Sequence, residues 1–424
     1  MNQFLPFKGV RYNPATEKMR LVVAPPYDVI SESQREEYYQ KDPHNVIRLE
    51  LNGEADPYDA AKECYDSWKK SAVLITDAEP TFYVYYQTFR THDGEQVTRR
   101  GVIGRLKVTP YSEKNVLPHE QTLSAPKKDR FALLDAVKTN ISPIFGLIDE
   151  EAQIFDHTID SVTAMAPIAD IDETLQTGES VRHIMWRLTD KALVARIENL
   201  IASKSVVIAD GHHRYETAVS YAEAHTEIRG ADNIMIYLSN IRGEGTVILP
   251  THRILYGIDS FDQFKVLAEL RKQFTVVLKD SREATLELFY NELNAFTVIQ
   301  FSEDPIWAVV IEEHNTSTSA LERLAVSRLH EKILKEIVGL SQEQINAKTN
   351  LLYPHTLSEL DEMIATHEYN AAFVLKPVTA DEMIAVTTEG SFMPQKSTFF
   401  YPKLLSGLVF HEFKVQSELD SDMQ

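Results

Sequence analysis

The sequence predicts a mixed α and β fold of the α+β class, and three observations predict it. Residues 81–107 alternate in a β manner on either side of a turn at His92-Asp93-Gly94, the pattern of a hairpin. The β-branched run Val206 to Ala209 breaks at Asp210-Gly211 and passes into a stretch where Tyr215, Ala218, Val219 and Ala222 recur at helical spacing. From about Asp259 onward, longer helical stretches alternate with short apolar runs such as FTVIQF and AVVIEE.

In chain order, VVAPPYDVI (22–30) reads as strand-like, with a diproline that holds the preceding residue extended and fixes Tyr27 and Asp28. A polar helix is predicted from Ser31 to Lys41, a strand at NVIRLEL (45–51) and a helix over about Pro57 to Ala72. After the hairpin, the polar passage LPHEQTLSAPKKDR (117–130) leads into a helix through about Lys138, with Ser124 as a cap and Pro126 in the first turn. SPIFGLI, NIMIYLSNI and GTVILPTHRIL read as buried strands. Residues 320–345 read as helical, and AAFVLKPV and MIAVTT as strands. The pattern change sets a boundary near 257, giving an N-terminal portion (1–257) and a C-terminal α/β portion (258–410). Residues 411–424, with Glu418, Asp420 and Asp422, read as a disordered acidic tail.

With 424 residues the chain exceeds one ordinary core, and 43% apolar and 25% charged residues are globular values. A net charge of −20 repels a phosphate backbone, and no long Lys/Arg run offsets it, so nucleic acid is a poor partner. No apolar stretch approaches the roughly 20 residues of a membrane span, and the first residues lack a secretory pattern, so a cytoplasmic location is expected. The single cysteine, Cys64, lies in a predicted helix and reads as a packing residue.

The junction at 206–224 carries the most chemistry. A strand–glycine turn–helix aims backbone N–H groups and the positive end of a helix dipole at one spot. Gly211 permits the tight turn, and His212, His213 and Arg214 follow it; a guanidinium there suits a phosphate or carboxylate. The plainer reading makes Asp210 a helix cap and the histidines a solvated first turn. Five polar or special residues placed at the junction favour an anion-binding corner.

The second cluster is His119-Glu120, followed by Lys127, Lys128 and Arg130 near a predicted helix N-terminus, where the dipole disfavours cations unless an anion faces them. Here the competing reading is a solvated charged turn. Glu120 offers a general base or a carboxylate for Mg²⁺, as does Asp210. His252 and Arg253 stand at a strand end, suited to a substrate carboxylate, and His119 and Asp28 complete the candidate substrate contacts. Lys396-Ser397-Thr398 lacks the glycines of a P-loop, and neither a nucleophile elbow nor a dinucleotide fingerprint is present.

The boxes APPYDVIS, NVIRLEL, HEQTLSAPKKDR, NISPIFGL, ADGHHRYETA, LPTHRIL and MPQKSTFFYPK together resemble the prokaryotic family known as domain of unknown function 1015, over residues 24–403. Members of that family are often encoded beside serine-biosynthesis genes. The Asp-Gly-His-His-Arg box also resembles the phosphate-binding box of the ParB and sulfiredoxin superfamily, some members of which phosphorylate free serine. That resemblance implies a ParB/sulfiredoxin-like N-terminal portion, with Gly211, His212, His213 and Arg214 on phosphate. Sulfiredoxin has a cysteine where this chain has His212, which argues against sulfinic-acid repair; no DNA-binding module accompanies the box.

The resulting expectation is a nucleotide-dependent phosphotransferase acting on a small hydroxylated metabolite, free serine first, using ATP or ADP with Mg²⁺. In it Arg214, His212, Gly211, Lys127, Lys128 and Arg130 hold phosphate, Glu120, Asp210 and His213 do the proton or metal work, and His119, His252, Arg253 and Asp28 meet substrate. Alanine at Arg214 is expected to abolish nucleotide binding with little change in melting temperature. The alternative is a non-catalytic nucleotide or metabolite sensor of serine-pathway enzymes. Homo-oligomerisation stays open.

Overall fold

The computed structural model describes residues 1–120, 124–151, 153–175, 177–303, 306–313, 316–347 and 349–415. The fold is mixed α and β, as the sequence predicts. The chain divides into two compact units. One holds Met1–Pro118, Thr122–Val247 and the chain from Pro402 onward; the other holds His119–Gln121 and Ile248–Tyr401. The division thus falls at Val247 rather than 257, and the segment after Tyr401 rejoins the first unit.

The first unit is built on a mixed nine-stranded sheet. Its strands are β1 (Phe4–Leu5), β2 (Phe82–Arg90), β3 (Gln96–Lys107), β4 (Val116–Leu117), β5 (Ile144–Ile148), β6 (Ala169–Thr174), β7 (Ser180–Leu188), β8 (Val206–Asp210) and β9 (Asn233–Asn240). Their order is β4-β8-β5-β9-β3-β2-β7-β6, with β1 added on β3. The β2–β3 hairpin pairs from Tyr83↔Ile103 to Arg90↔Gln96, and its turn uses Gly94 at φ 81°. Pairing is parallel between β4 and β8 and between β5 and β9.

Helices of this unit include α1 (Glu32–Lys41), α2 (Ile47–Glu50), α3 (Pro57–Lys70), α4 (Ser124–Val137), α5 (Lys191–Ala202) and α6 (His212–Ala224). Ser31 caps α1 in a capping box with Gln34, and Asp56 caps α3 ahead of Pro57. The side chains of residues 124–126, including the expected cap Ser124, lie outside the described set. Strand side chains alternate between faces. One face of the sheet (Phe82, Val84, Ile208, Ile236, Leu238) packs on Ile197 and Ile201 of α5 and Tyr215 and Ala218 of α6. Burying each large side chain there contributes roughly 1.5–3 kcal/mol. The opposite face carries Tyr85, Gln87, Arg99, His183 and Tyr237, all buried. Their polar atoms meet the returning segment: Gln87 Nε2 donates to Lys403 O at 2.8 Å, and Arg99 donates to Pro402 O. A further core joins α2, α3 and α4 through Val46, Leu49, Ala61, Tyr65 and Leu133, and Cys64 packs half-buried against it.

Four segments differ from the sequence reading. NVIRLEL is the helix α2 rather than a strand. Asn45 Oδ1 accepts from Ile47 N at 3.0 Å, while its Nδ2 donates to Leu21 O at 2.7 Å, so a buried side chain starts a turn that periodicity alone cannot tell from a strand. VVAPPYDVI contributes a single bridge at Ala24 and a 3₁₀ turn at Tyr27–Val29, because Pro25 and Pro26 have no N–H for a ladder. MIAVTT lies within the helix Ala380–Thr388, started by a Thr379–Glu382 capping box. Of the expected tail, Ile228↔Val415 and His411↔Asn140 are strand pairs; residues 416–424 lie outside the described set.

The second unit holds an antiparallel six-stranded sheet of β10 (Arg253–Leu255), β11 (Thr275–Lys279), β12 (Ala295–Phe301), β13 (Trp307–Ile311), β14 (Leu351–Leu352) and β15 (Ala371–Val374). The order is β11-β13-β12-β15-β10-β14. Its core comprises Ile254, Phe289, Val298, Val309, Leu360 and Val374. Among the described residues no helix is long and apolar enough to cross a membrane.

Candidate functional site

The β8–α6 junction forms as the sequence predicts. β8 ends at Asp210, and Gly211 takes φ 95°, a conformation that L side chains rarely adopt. A Cβ there would also lie 2.7 Å from Ile144 Cγ2 and 3.1 Å from Arg214 Nη2, so space and backbone both require glycine. Gly211, the residue before the 13-residue helix α6, carries no side chain to cap it. The positive end of the helix dipole lies at this junction.

Arg214 and Asp210 face each other one turn apart. Arg214 Nη2 donates to Asp210 Oδ2 at 2.9 Å, and Nη1 donates to Ser142 Oγ and Pro143 O, each at 3.0 Å. The other carboxylate oxygen, Oδ1, accepts from Lys403 Nζ at 2.6 Å. Burial is the largest single influence on the Asp210 carboxyl and pushes it up; Lys403 and Arg214 outweigh it and hold the group well below the usual carboxylate range. Two of the roles expected for Asp210 fall with this. A carboxylate held so firmly ionised is a weak general base. Nor does it fit Mg²⁺, since cationic side chains already occupy both of its oxygens. Lys403 belongs to the box MPQKSTFFYPK, whose lysines were read only against the P-loop pattern.

Beside Arg214 lies a cavity of about 50 Å³ walled by Glu50, Arg130, Ser142, Ile144, Arg214 and Thr217. Glu50, the last residue of α2, is buried. Its Oε2 accepts from Arg130 Nη1 at 3.1 Å, and its main-chain oxygen accepts from Arg130 Nη2 at 3.2 Å. Arg130 Nε donates to Asp129 Oδ2 at 2.7 Å, and the guanidinium stacks 4.0 Å from the Tyr27 ring centroid. Burial pushes the Tyr27 hydroxyl up to about 12, so it stays protonated. Asp28 is exposed on the adjacent 3₁₀ turn and acts on Arg214 through its charge. Glu50 escaped sequence reasoning; the available signal was a carboxylate embedded in the apolar run NVIRLEL.

The 119–130 passage divides between the two units. Lys127 and Arg130, on α4, come to this region of the first unit. Lys127 Nζ pairs with Glu216 Oε2 at 2.8 Å, so its charge is met by α6. Lys128 is exposed. His212 is buried and His213 half-buried in the first turn of α6. His119 and Glu120 belong to the second unit, where His119 Nε2 lies 2.8 Å from Thr398 Oγ1 and Glu120 Oε1 accepts from Ser397 N at 3.1 Å.

His252 and Arg253, expected on a substrate carboxylate, are internal struts of the second unit. Arg253 is fully buried, and its guanidinium donates to Thr251 O, to Lys396 O at 2.9 Å and to His330 Nε2 at 3.3 Å. His252 Nδ1 accepts from Leu375 N at 3.2 Å. Burial, then the neighbouring Arg253, lowers the imidazole to about 4, so it is neutral and offers no charge to an anion. The described residues bring three or more metal-ligating side chains together only at Glu17, Asp42 and His44, a group that includes neither Glu120 nor Asp210.

A family described as protein of unknown function, DUF1015, matches residues 4–329. No curated protein matches the sequence. Among solved structures, the chain is similar to a mutant free serine kinase in complex with ADP, at 11% identity and a TM-score of 0.37, over 72% of this chain and 90% of that one. A conserved hypothetical protein from Pyrococcus furiosus is similar at 15% identity and a TM-score of 0.34, over 69% and 92%. C-terminally truncated SbnI from Staphylococcus aureus is similar at 11% identity and a TM-score of 0.33, over 71% and 85%.

Proposed function

We propose that this chain, which belongs to the DUF1015 family of proteins of unknown function, transfers a phosphoryl group between a nucleotide and a small hydroxylated metabolite, free serine being the first acceptor to test. The observation that carries the reading is the arrangement at the β8–α6 junction. Asp210 holds Arg214 and Lys403 on its two oxygens at the start of α6. The carboxylate positions both cations and leaves the trio with one net positive charge at the positive end of the helix dipole, which suits phosphate oxygens. Phosphoryl transfer asks mainly for positioning and charge neutralisation, which such a corner supplies.

In this reading Arg214 and Lys403, at the positive end of α6, take the phosphates of ATP or ADP. Arg130 adds positive charge alongside. Asp210 acts as the post that fixes the two cations, and His213 stays the candidate for proton handling at the helix start. No step is assigned to a metal on Asp210. The test incubates the purified protein with ATP or ADP, Mg²⁺ and a panel of amino and hydroxy acids while phosphorus resonances are followed. A new phosphomonoester signal is expected. Saturable nucleotide binding with no phosphoryl movement to any acceptor would overturn the reading and favour the sensor.

A further inference from the structure

We propose that the cavity walled by Glu50, Arg130, Ser142 and Arg214 binds a small metabolite that carries a hydrogen-bond-donating group at one end and a carboxylate at the other. Naming it the acceptor site rests on the phosphotransfer reading; its binding chemistry does not.

Glu50 Oε2 is held by Arg130, but the buried Oε1 meets no donor among the described residues. The Glu50 side chain is only 3% exposed, so bulk water does not reach that oxygen freely. A buried carboxylate oxygen without a donor is costly, which makes it a receptor for a hydroxyl or ammonium. Arg214 stands on the same cavity. Of its five N–H donors, three rest on Ser142, Pro143 and Asp210. The remaining two suit an anionic group.

The two ends exclude simpler ligands. A bare ammonium compound would satisfy Glu50 but face two guanidinium groups. Inorganic phosphate would suit Arg214 but meet the Glu50 oxygen with like charge. A compound with both ends matches both walls. Leu133, Leu134 and Ile234 line the remainder and suit a short carbon skeleton. A volume of about 50 Å³ suits a compound of only a few heavy atoms, well below the ≈ 300–1,000 Å³ of drug-sized pockets.

The test is calorimetric titration of the full chain, without nucleotide, using glycolate, L-serine, ethanolamine and inorganic phosphate as probes. Glycolate and L-serine should bind, with ethanolamine and phosphate at least tenfold weaker. Glu50→Gln, close in shape, should weaken glycolate and L-serine at least tenfold. Unchanged binding in Glu50→Gln, or no binding of glycolate or L-serine to the wild type, would overturn the proposal. Should Glu50→Gln fold poorly, ¹⁵N side-chain spectra of the wild type decide: the Arg214 Nε signal should move on adding glycolate, and a stationary signal counts against the site. Neither measurement reads turnover, so this binding can fail while phosphoryl transfer stands, and the reverse.

Discussion

Lys403 places its ammonium 2.6 Å from Asp210 Oδ1, across a sequence separation of 193 residues. The returning C-terminal segment thus completes the charge set at the start of α6. Replacing Lys403 with methionine keeps the apolar stem and removes the charge. The loss should destabilise the protein by about 1–3 kcal/mol, since a half-buried carboxylate oxygen loses its donor. Urea denaturation checks it.

The Asp210 carboxyl is held low in the folded state by Lys403 and Arg214 against burial, while the unfolded value is about 3.9. A depressed carboxylate contributes stability that is present above the unfolded value and is lost as pH falls toward the folded one. Wild-type stability should therefore fall below about pH 4. In Lys403→Met the folded value rises, so this contribution shrinks. Melting temperature measured from pH 7 to pH 2 should show the two proteins converging at the acid end.

His252 acts in the adjacent, higher pH window. Burial, with Arg253, lowers it to about 4, whereas an unfolded histidine titrates near 6.5. Between those values the unfolded chain binds the extra proton, so stability falls as pH drops, by up to about 1.4 kcal/mol per pH unit. In His252→Asn the slope should lose one proton over this range. An unchanged slope would show that the imidazole is charged in the folded state.

Gly211→Ala forces a Cβ against Ile144 at φ 95°. The strain should cost about 1–3 kcal/mol, and relief would shift the start of α6. Nucleotide affinity should fall more steeply than in Lys128→Ala, which alters an exposed side chain. Thermal shift with ATP and ADP on both variants makes the comparison.

Arg214→Ala should remove nucleotide binding, but not at constant stability as its sequence context implied. The guanidinium also braces Ser142, Pro143 and Asp210. Its loss should cost about 1–3 kcal/mol. Arg214→Lys keeps the charge without the fork, so it should recover part of the stability and little of the binding.

Local signals sufficed wherever structure is written in near neighbours. The hairpin about Gly94, the caps at Ser31 and Asp56 and the strand–glycine–helix junction at Gly211 follow from alternation, capping chemistry and helical spacing. NVIRLEL was misread for the same reason: a short apolar run suits strand and helix equally, and contacts of Asn45 with Leu21 and Val23 settle it.

The sequence by itself determined the α and β character, the glycine turn at Gly211 and the presence of Arg214 beside it, because each depends on residues within one helical turn or one strand. Only the tertiary structure decided which charges are spent and on what. It drew Lys403 onto Asp210, Glu50 onto Arg130 and Glu216 onto Lys127, and it made struts of His252 and Arg253. Such pairing depends on burial, which strengthens charge interactions and penalises any group left alone, and burial is a property of the packed chain.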